Sequence, residues 1–131
     1  MITTLFECHR AYYLPNFFPI IKEMKNRKRY EIYASIPLTM PLAEREIFSD
    51  VCKENNISTI TAINETARVK KLKERKFQII IVGNVGKIEQ IADHSALTIM
   101  VYHGIGLKQT YYRDITDRID IRVVESKERY D

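Results

Sequence analysis

The chain has 131 residues, of which 45% are hydrophobic and 29% charged, and its formal net charge is +4. This length fits one domain spanning residues 1–131, and the mixed composition excludes a disordered or low-complexity chain. The apolar runs are far shorter than the roughly 20 residues that a membrane-spanning helix needs.

Short apolar or alternating segments predict six β-strands. The predicted strands are Thr3–Cys8, Tyr30–Ser35, Ile57–Ile63, Phe77–Val82, Leu97–Tyr102 and Ile119–Glu125. The intervening segments predict helices over Phe17–Lys25, Leu42–Glu54, the stretch after Asn64 to about Arg75, and Lys87–Ala92, with a helical turn at Thr110–Arg113 and a further helix beginning at Ser126.

The first and third helices have recognisable starts. Asn16 is a good N-cap, which would place Pro19 in the first turn, and Asn64 is the N-cap expected for the third helix. That third helix is rich in charge, and we expect it to be mostly exposed. The buried face of the second helix is expected to consist of Ile47, Phe48, Val51 and Cys52.

Strands that alternate with helices predict a parallel sheet with right-handed crossovers. The sequence therefore predicts an α/β fold: a Rossmann-like open parallel sheet of about six strands, with helices on both faces. The continuously apolar segment Phe77–Val82 is expected in the middle of the sheet, because a strand covered on both faces needs no polar side chains.

Most of the basic excess lies in two runs, Lys25–Arg29 and Arg68–Lys76. Such runs are commonly solvated helix faces, and attraction to an anionic surface or polymer is the alternative. Because no recognised nucleic-acid-binding motif accompanies them, we expect no nucleic-acid partner. Cys8 and Cys52 form no C-x-x-C pair, which favours reduced thiols in the cytoplasm.

Polar residues and glycines follow the predicted strands at their carboxyl ends, where ligands bind in sheets of this kind. His9 and Arg10 follow the first strand, and Gly83 and Asn84 follow the fourth. The chain's four glycines, which also include Gly86, Gly104 and Gly106, fall in two loops at this edge, either as ordinary turns or to let a ligand approach the backbone.

His103 follows the fifth strand directly. An imidazole there suits a general base, although a histidine that only completes the turn is the alternative. Lys108 offers a cation to an anionic group, or is simply exposed to solvent. The dinucleotide and P-loop fingerprints are absent and no residues have metal-ligand spacing, so no cofactor and no metal are expected.

The segment His103–Lys108, HGIGLK, resembles the H-G-T-P-x-K signature of the CDP-glycerol glycerophosphotransferases, the teichoic acid primases and polymerases of the GT-B superfamily. His103, Gly104 and Lys108 match the signature, and Ile105 and Gly106 differ from it. The resemblance implies the amino-terminal, acceptor-side half of a GT-B enzyme, in which His103 deprotonates the acceptor hydroxyl.

The same resemblance implies the partners. The donor would be CDP-glycerol or another nucleotide-activated compound, bound mainly by a second, carboxyl-terminal nucleotide-binding domain that we expect to be missing from this chain. The acceptor would be a membrane-linked polyol or sugar, so the chain would work in the cytoplasm, at the inner face of the membrane. Gly104, Gly106, Lys108, His9, Arg10, Gly83 and Asn84 would line the substrate site.

Two alternatives stay open at this point. The chain fits the amino-terminal domain of another GT-B glycosyltransferase or of a sugar-nucleotide epimerase, since these have nearly the same strand pattern. A non-catalytic Rossmann-like interaction module is the second alternative. As an isolated piece of a two-domain transferase, the chain is expected to be inactive.

Overall fold

The computed structural model of the protein describes residues 1–7, 9–84, 86–101 and 118–123. Within these residues the strands are β1 (Ile2–Glu7), β2 (Tyr30–Ser35), β3 (Ser58–Ile60), β4 (Ile79–Val82), β5 (Leu97–Val101) and β6 (Ile121–Val123). The helices are α1 (Leu14–Arg27), α2 (Leu42–Glu54), α3 (Glu65–Arg75) and α4 (Ile88–Ile91), and a 3-10 helix, Ala11–Tyr13, leads into α1.

The six strands form one open sheet in the order β3-β2-β1-β4-β5-β6, and every neighbouring pair is parallel. The predicted α/β fold, with an open parallel sheet flanked by helices on both faces, is therefore confirmed. The chain adds strands on one side of β1 as far as β3 and then continues on the other side with β4. This change of direction makes the β1–β4 boundary the switch point of the sheet.

The sheet separates two hydrophobic cores. On one face α1 and α2 cover the sheet, and Phe6, Phe17 and Phe48 are buried together there. On the other face α3 and α4 form the cover, with Leu5 and Leu72 in the second core. Leu5 and Phe6 are consecutive in β1 and both fully buried, because successive strand side chains point to opposite faces and both faces are covered.

The second helix and the second strand have the predicted bounds, whereas the composition of the α2 face differs from the prediction. Phe48 and Cys52 are buried as expected, but the Ile47 side chain is 60% exposed. Burial raises the pKa of the Cys52 thiol to about 12. The predicted third and fourth strands are longer than β3 and β4, because only part of each apolar segment pairs with a neighbouring strand. The predicted sixth strand begins at Ile119, two residues before β6.

Several predicted features lie outside the described residues. These are the strand ends at Cys8, at Tyr102 and at residues 124–125, the helical turn at Thr110–Arg113 and the helix from Ser126. Within the described part of the chain, no helix has both the length and the apolar character that a membrane crossing needs.

The start of α1 differs from the prediction. The helix begins at Leu14, directly after the 3-10 helix, so Asn16 is not its N-cap and Pro15 lies in the first turn. Pro19 lies inside the helix rather than in its first turn. Since proline has no N–H, the helix lacks the hydrogen bond that residue 19 would otherwise donate to the carbonyl of Pro15.

We therefore expect Pro19→Ala to stabilise the protein. An internal proline costs a helix about 3 kcal/mol, and alanine gives up at most about 1 kcal/mol of the restriction that proline places on the unfolded chain. The free energy of unfolding in urea, followed by circular dichroism, should rise by about 2 kcal/mol.

Pro15→Ala is the matched control, because Pro15 is also exposed but lies where no intrahelical hydrogen bond is lost. Its free energy of unfolding should change by less than about 1 kcal/mol. Equal effects of the two substitutions would contradict this account of Pro19.

Candidate functional site

Four of the predicted site residues lie together at the carboxyl edge of the sheet. His9 and Arg10 follow β1, and Gly83 and Asn84 follow β4. The two strands are hydrogen-bonded neighbours, and their last residues are paired in register. The predicted proximity of these residues thus agrees with the topology, and their binding of a substrate stays a prediction.

The other four predicted site residues, His103, Gly104, Gly106 and Lys108, lie outside the described residues. Their roles stay predictions. In the described part of the glycine loop after β4, Gly83 is buried and Gly86 has a φ of +48°. The positive φ favours glycine and agrees with the turn interpretation of this loop.

Arg10 is held by a carboxylate of α2. Its Nε and Nη2 atoms donate to both oxygens of Glu44 at 2.8–3.2 Å, and the Ala11 N–H donates to the same carboxylate at 2.8 Å. These hydrogen bonds hold the pKa of Glu44 below its ordinary value. Arg10 therefore joins the end of β1 to the first turn of α2.

His9 lies next to Arg10 and contacts Tyr13. Its Nε2 atom is 3.4 Å from the Tyr13 hydroxyl, and the two rings meet edge to face.

A buried arginine of α3 binds the strand ends at the same edge of the sheet. Arg68 is 1% exposed, and its Nη1 atom lies 3.0 Å from both carboxylate oxygens of Glu7 and 2.7 Å from the Ser35 hydroxyl oxygen. Glu7 and Ser35 are the paired last residues of β1 and β2. Arg68 thus ties the ends of two central strands to α3.

A second carboxylate, that of Glu65, also binds Arg68 and contacts two further segments. Its carboxylate accepts Nε and Nη2 of Arg68 at 2.8 and 2.9 Å, the Lys87 ammonium at 2.9 Å and the Leu38 N–H at 2.6 Å. Leu38 lies between β2 and α2, and Lys87 directly precedes α4. One carboxylate therefore connects three loops of the carboxyl edge. We call Glu7, Ser35, Glu65, Arg68 and Lys87 the buried network.

The two carboxylates of the buried network have opposite pKa shifts. Burial raises the pKa of Glu7 to about 7, although Arg68 opposes the shift. Hydrogen bonds from Arg68, and then from Lys87, lower the pKa of Glu65 to about 2. Glu65 is therefore ionised at neutral pH, whereas Glu7 titrates near it. In the part of the chain that the structure describes, no group of three or more His, Cys, Asp and Glu residues could hold a metal ion.

Sequence reasoning missed the buried network. The third helix is mostly exposed, as predicted, but Arg68, which was counted in a basic run, is one of its two buried residues. Its position gave a signal, because Arg68 precedes Leu72 by four residues and so lies on the buried face of the helix. Glu65, three residues before Arg68 on the same helix face, indicated a carboxylate partner for it. The predicted Asn64 N-cap is confirmed, since its side chain accepts the Ala67 N–H at 2.7 Å.

The opposite, amino edge of the sheet has two similar basic turns. The tetrapeptides Lys25–Lys28 and Lys73–Lys76 both have the pattern K-x-R-K, and they end α1 and α3, which cover opposite faces. Their last lysines have left-handed backbone conformations, with φ of 54° for Lys28 and 49° for Lys76. We call five exposed cations in and just after these turns the basic edge: Arg27, Lys28, Arg29, Arg75 and Lys76. The Lys73 ammonium is instead used within the protein, where it donates to the Ala92 carbonyl at 2.8 Å.

Backbone hydrogen bonds place the two turns on either side of β1. The Ile2 N–H donates to the Arg29 carbonyl at 2.7 Å, and the Gln78 N–H donates to the Thr3 carbonyl at 3.1 Å. Since neighbouring strands are about 4.8 Å apart, the chain segments that follow the two turns are about 10 Å apart.

Several charges of the basic edge have no counter-ion among the described residues. Lys28 and Arg29 have neither an ion pair nor a side-chain hydrogen bond in this part of the chain, whereas Arg27 pairs with Glu23 at 3.2 Å. The guanidinium of Arg75 stacks on the Tyr33 ring at 4.6 Å. Lys28 and Arg29 are therefore available to an anionic partner.

No family model matches the chain, and no solved structure matches it. The chain is similar to the probable ribonuclease P protein subunit 3 of Schizosaccharomyces pombe, with 25% identity over 104 residues. The match covers 76% of this chain and 44% of that protein, so the chain spans less than half the length of the curated relative it matches.

This similarity shows that the predicted transferase function is wrong. The relative is named as a subunit of a ribonuclease, which agrees neither with a CDP-glycerol glycerophosphotransferase of the cell wall nor with the glycosyltransferase, epimerase and interaction-module alternatives. The predicted partners, a nucleotide-activated donor and a membrane-linked acceptor with no nucleic acid, are wrong for the same reason. The resemblance depended on three matching residues within HGIGLK, and an α/β sheet by itself specifies no function.

The buried network predicts a pH effect that Glu7→Gln should remove. Because the pKa of Glu7 is raised to about 7, the folded protein keeps this proton up to about pH 7, whereas the unfolded chain releases it near the ordinary glutamate pKa of 4.5. This group therefore stabilises the fold most at low pH, and its contribution falls as the pH rises from about 4.5 to about 7. Relative to the wild type, the glutamine variant should be more stable at pH 8 than at pH 5.

Urea unfolding of both proteins at the two pH values measures this difference. Glu46→Gln is the control, because Glu46 is an exposed glutamate of α2 outside the network. If the wild type and Glu7→Gln lost stability in parallel between pH 5 and pH 8, the raised pKa of Glu7 would be refuted.

Proposed function

We propose that the chain associates with RNA as a protein subunit of a ribonucleoprotein of the ribonuclease P type. The similarity to the Schizosaccharomyces pombe subunit carries this proposal. The proposal gives the chain an RNA-associated role and assigns no chemical step to it. The cytoplasmic location predicted from the cysteines stays a prediction.

The basic edge supports an RNA partner. Lysine and arginine bind phosphate through charge-assisted hydrogen bonds, and contacts with the phosphate backbone supply most of the sequence-independent affinity for nucleic acids. Exposed cations on both turns suit several phosphates of one RNA surface. The chain's net charge of +4 acts in the same direction.

Complementing the helix dipole is the ordinary reason for cations at a helix end. That reason accounts for Arg27 and Arg75 in the last turns of α1 and α3. Lys28 and Lys76 directly follow the last turns and are within reach of the same dipole, and Lys76 also interacts with the Asp93 carboxylate. Arg29 lies one residue beyond Lys28, and neither Lys28 nor Arg29 has an ion pair among the described residues, so these two charges are available for a partner.

Reversing charges on both turns should weaken RNA binding. In fluorescence anisotropy with a labelled tRNA transcript, Arg29→Glu combined with Lys76→Glu should raise the Kd at least about tenfold. Fewer phosphate contacts should also make log Kd depend less steeply on log salt concentration. An absence of RNA binding by the wild-type chain would contradict the proposal.

The control makes the same change of charge elsewhere. Thr39, Ala43, Thr61 and Thr66 are exposed at the carboxyl edge, at the other end of the sheet from both turns. Replacing all four with Glu makes the same change of net charge and should affect the Kd by less than about threefold if the basic edge binds the RNA, because screening at 0.15 M salt limits distant charges. An equal loss in both variants would assign the binding to net charge alone.

The ribonuclease P assignment has its own test. Ultraviolet crosslinking in the native cells, followed by sequencing of the bound RNA, should enrich a ribonuclease P RNA or precursor tRNAs. A population of bound RNA that contains neither would refute this assignment and leave general RNA binding in place.

A further inference from the structure

A groove of about 440 Å³ lies between α1 and α2, at the ends of these helices nearest the amino edge of the sheet. This volume is within the range of pockets that bind small organic groups. The groove is lined by Phe18, Ile21, Lys22, Lys25, Asn26, Glu54, Asn55 and Asn56.

The groove combines an aromatic ring with amide groups. Phe18 is partly buried and packs against the core beside the buried Ile21. The Asn26 side chain makes no hydrogen bond within the described part of the chain, and Asn55 donates through Nδ2 to the Val51 carbonyl at 2.8 Å, which leaves its side-chain oxygen as an acceptor. A partly exposed aromatic ring with amide donors and acceptors beside it is the chemistry that recognises an unstacked nucleobase.

One rim of the groove is held in place by a lysine. The Lys25 ammonium donates to the backbone carbonyls of Asn55 and Asn56, the second at 3.2 Å. These carbonyls lie just past the end of α2, so Lys25 links the ends of α1 and α2. Its charge is therefore used within the protein, whereas Lys22 has no ion pair among the described residues.

The groove is continuous with the basic edge. Asn26 lines it, and Arg27, Lys28 and Arg29 follow directly in the sequence. A base in the groove would thus have its phosphates beside Lys22 and the first K-x-R-K turn. Glu54 adds one negative charge to the lining, but the positive charges of Lys22, Lys28 and Arg29 outnumber it, which favours a nucleotide of a polyanion over a neutral ligand.

We infer that the groove between α1 and α2 binds one unpaired base of an RNA, with Phe18 as the stacking platform and the flanking phosphates on the basic edge. This inference rests on the proposed function, which it deepens by naming the RNA feature that is recognised. Stacking on an aromatic side chain changes affinity by roughly 5- to 150-fold per base.

Two hairpin RNAs of equal length test the inference, one fully paired in its stem and one with a single bulged nucleotide. The wild-type chain should bind the bulged RNA about tenfold more tightly in fluorescence anisotropy. Phe18→Leu retains an apolar side chain but removes the ring, and it should abolish this preference without weakening the binding of the paired RNA.

Tyr12→Leu is the matched control, since Tyr12 is an aromatic residue 58% exposed on the segment that follows the carboxyl end of β1. It should leave the preference for the bulged RNA intact. Circular dichroism of each variant verifies the fold. A bulge labelled with 2-aminopurine should lose fluorescence on binding the wild type but not on binding Phe18→Leu.

The outcomes separate the inference from the proposed function. Equal binding of the two hairpins by the wild type, or an equal loss for both RNAs in Phe18→Leu, would overturn the inference while RNA binding stands. Failure of the wild type to bind either hairpin would overturn the proposed function as well.

Discussion

The carboxyl edge of this sheet depends on the hydrogen bonds that the buried guanidinium of Arg68 makes. A charge removed from water must be paired and hydrogen-bonded, so the positions of Glu7, Ser35 and Glu65 are constrained together. These partners come from the ends of β1 and β2 and from the first turn of α3. The network therefore fixes the strand ends on one side of the switch point, and Lys87 extends the constraint to the segment after β4.

The two edges of the sheet use their charges in different ways. At the carboxyl edge the cations Arg10, Arg68 and Lys87 are bound to carboxylates of the same chain. At the amino edge Lys28 and Arg29 have no such partners among the described residues. In folds of this type ligands usually bind at the carboxyl edge, and the sequence predicted the binding site there. The free positive charge within the described ranges points to the other edge.

Local patterns in the sequence predicted much of the fold, because hydrophobic periodicity and caps are local signals. The bounds of β2 and α2 and the Asn64 cap were correct for this reason. The start of α1 was missed because no side chain caps it. Arg68 was missed because its burial depends on Glu7, 61 residues away, and a basic run alone does not show which of its members points inward. The prediction of a transferase was wrong because it depended on three matching residues of a short motif, which are too few to identify a family.

The left-handed lysines that end α1 and α3 have an energetic consequence. Glycine is the residue that adopts a positive φ at a helix end without steric cost, and a side chain there costs about 1 kcal/mol. Lys28 and Lys76 both have this conformation. Each helix end is thus less stable than it would be with glycine, and it carries a positive charge close to the backbone. The basic edge is in this sense partly strained, with its two lysines presented by turns that a more stable protein would build from glycine.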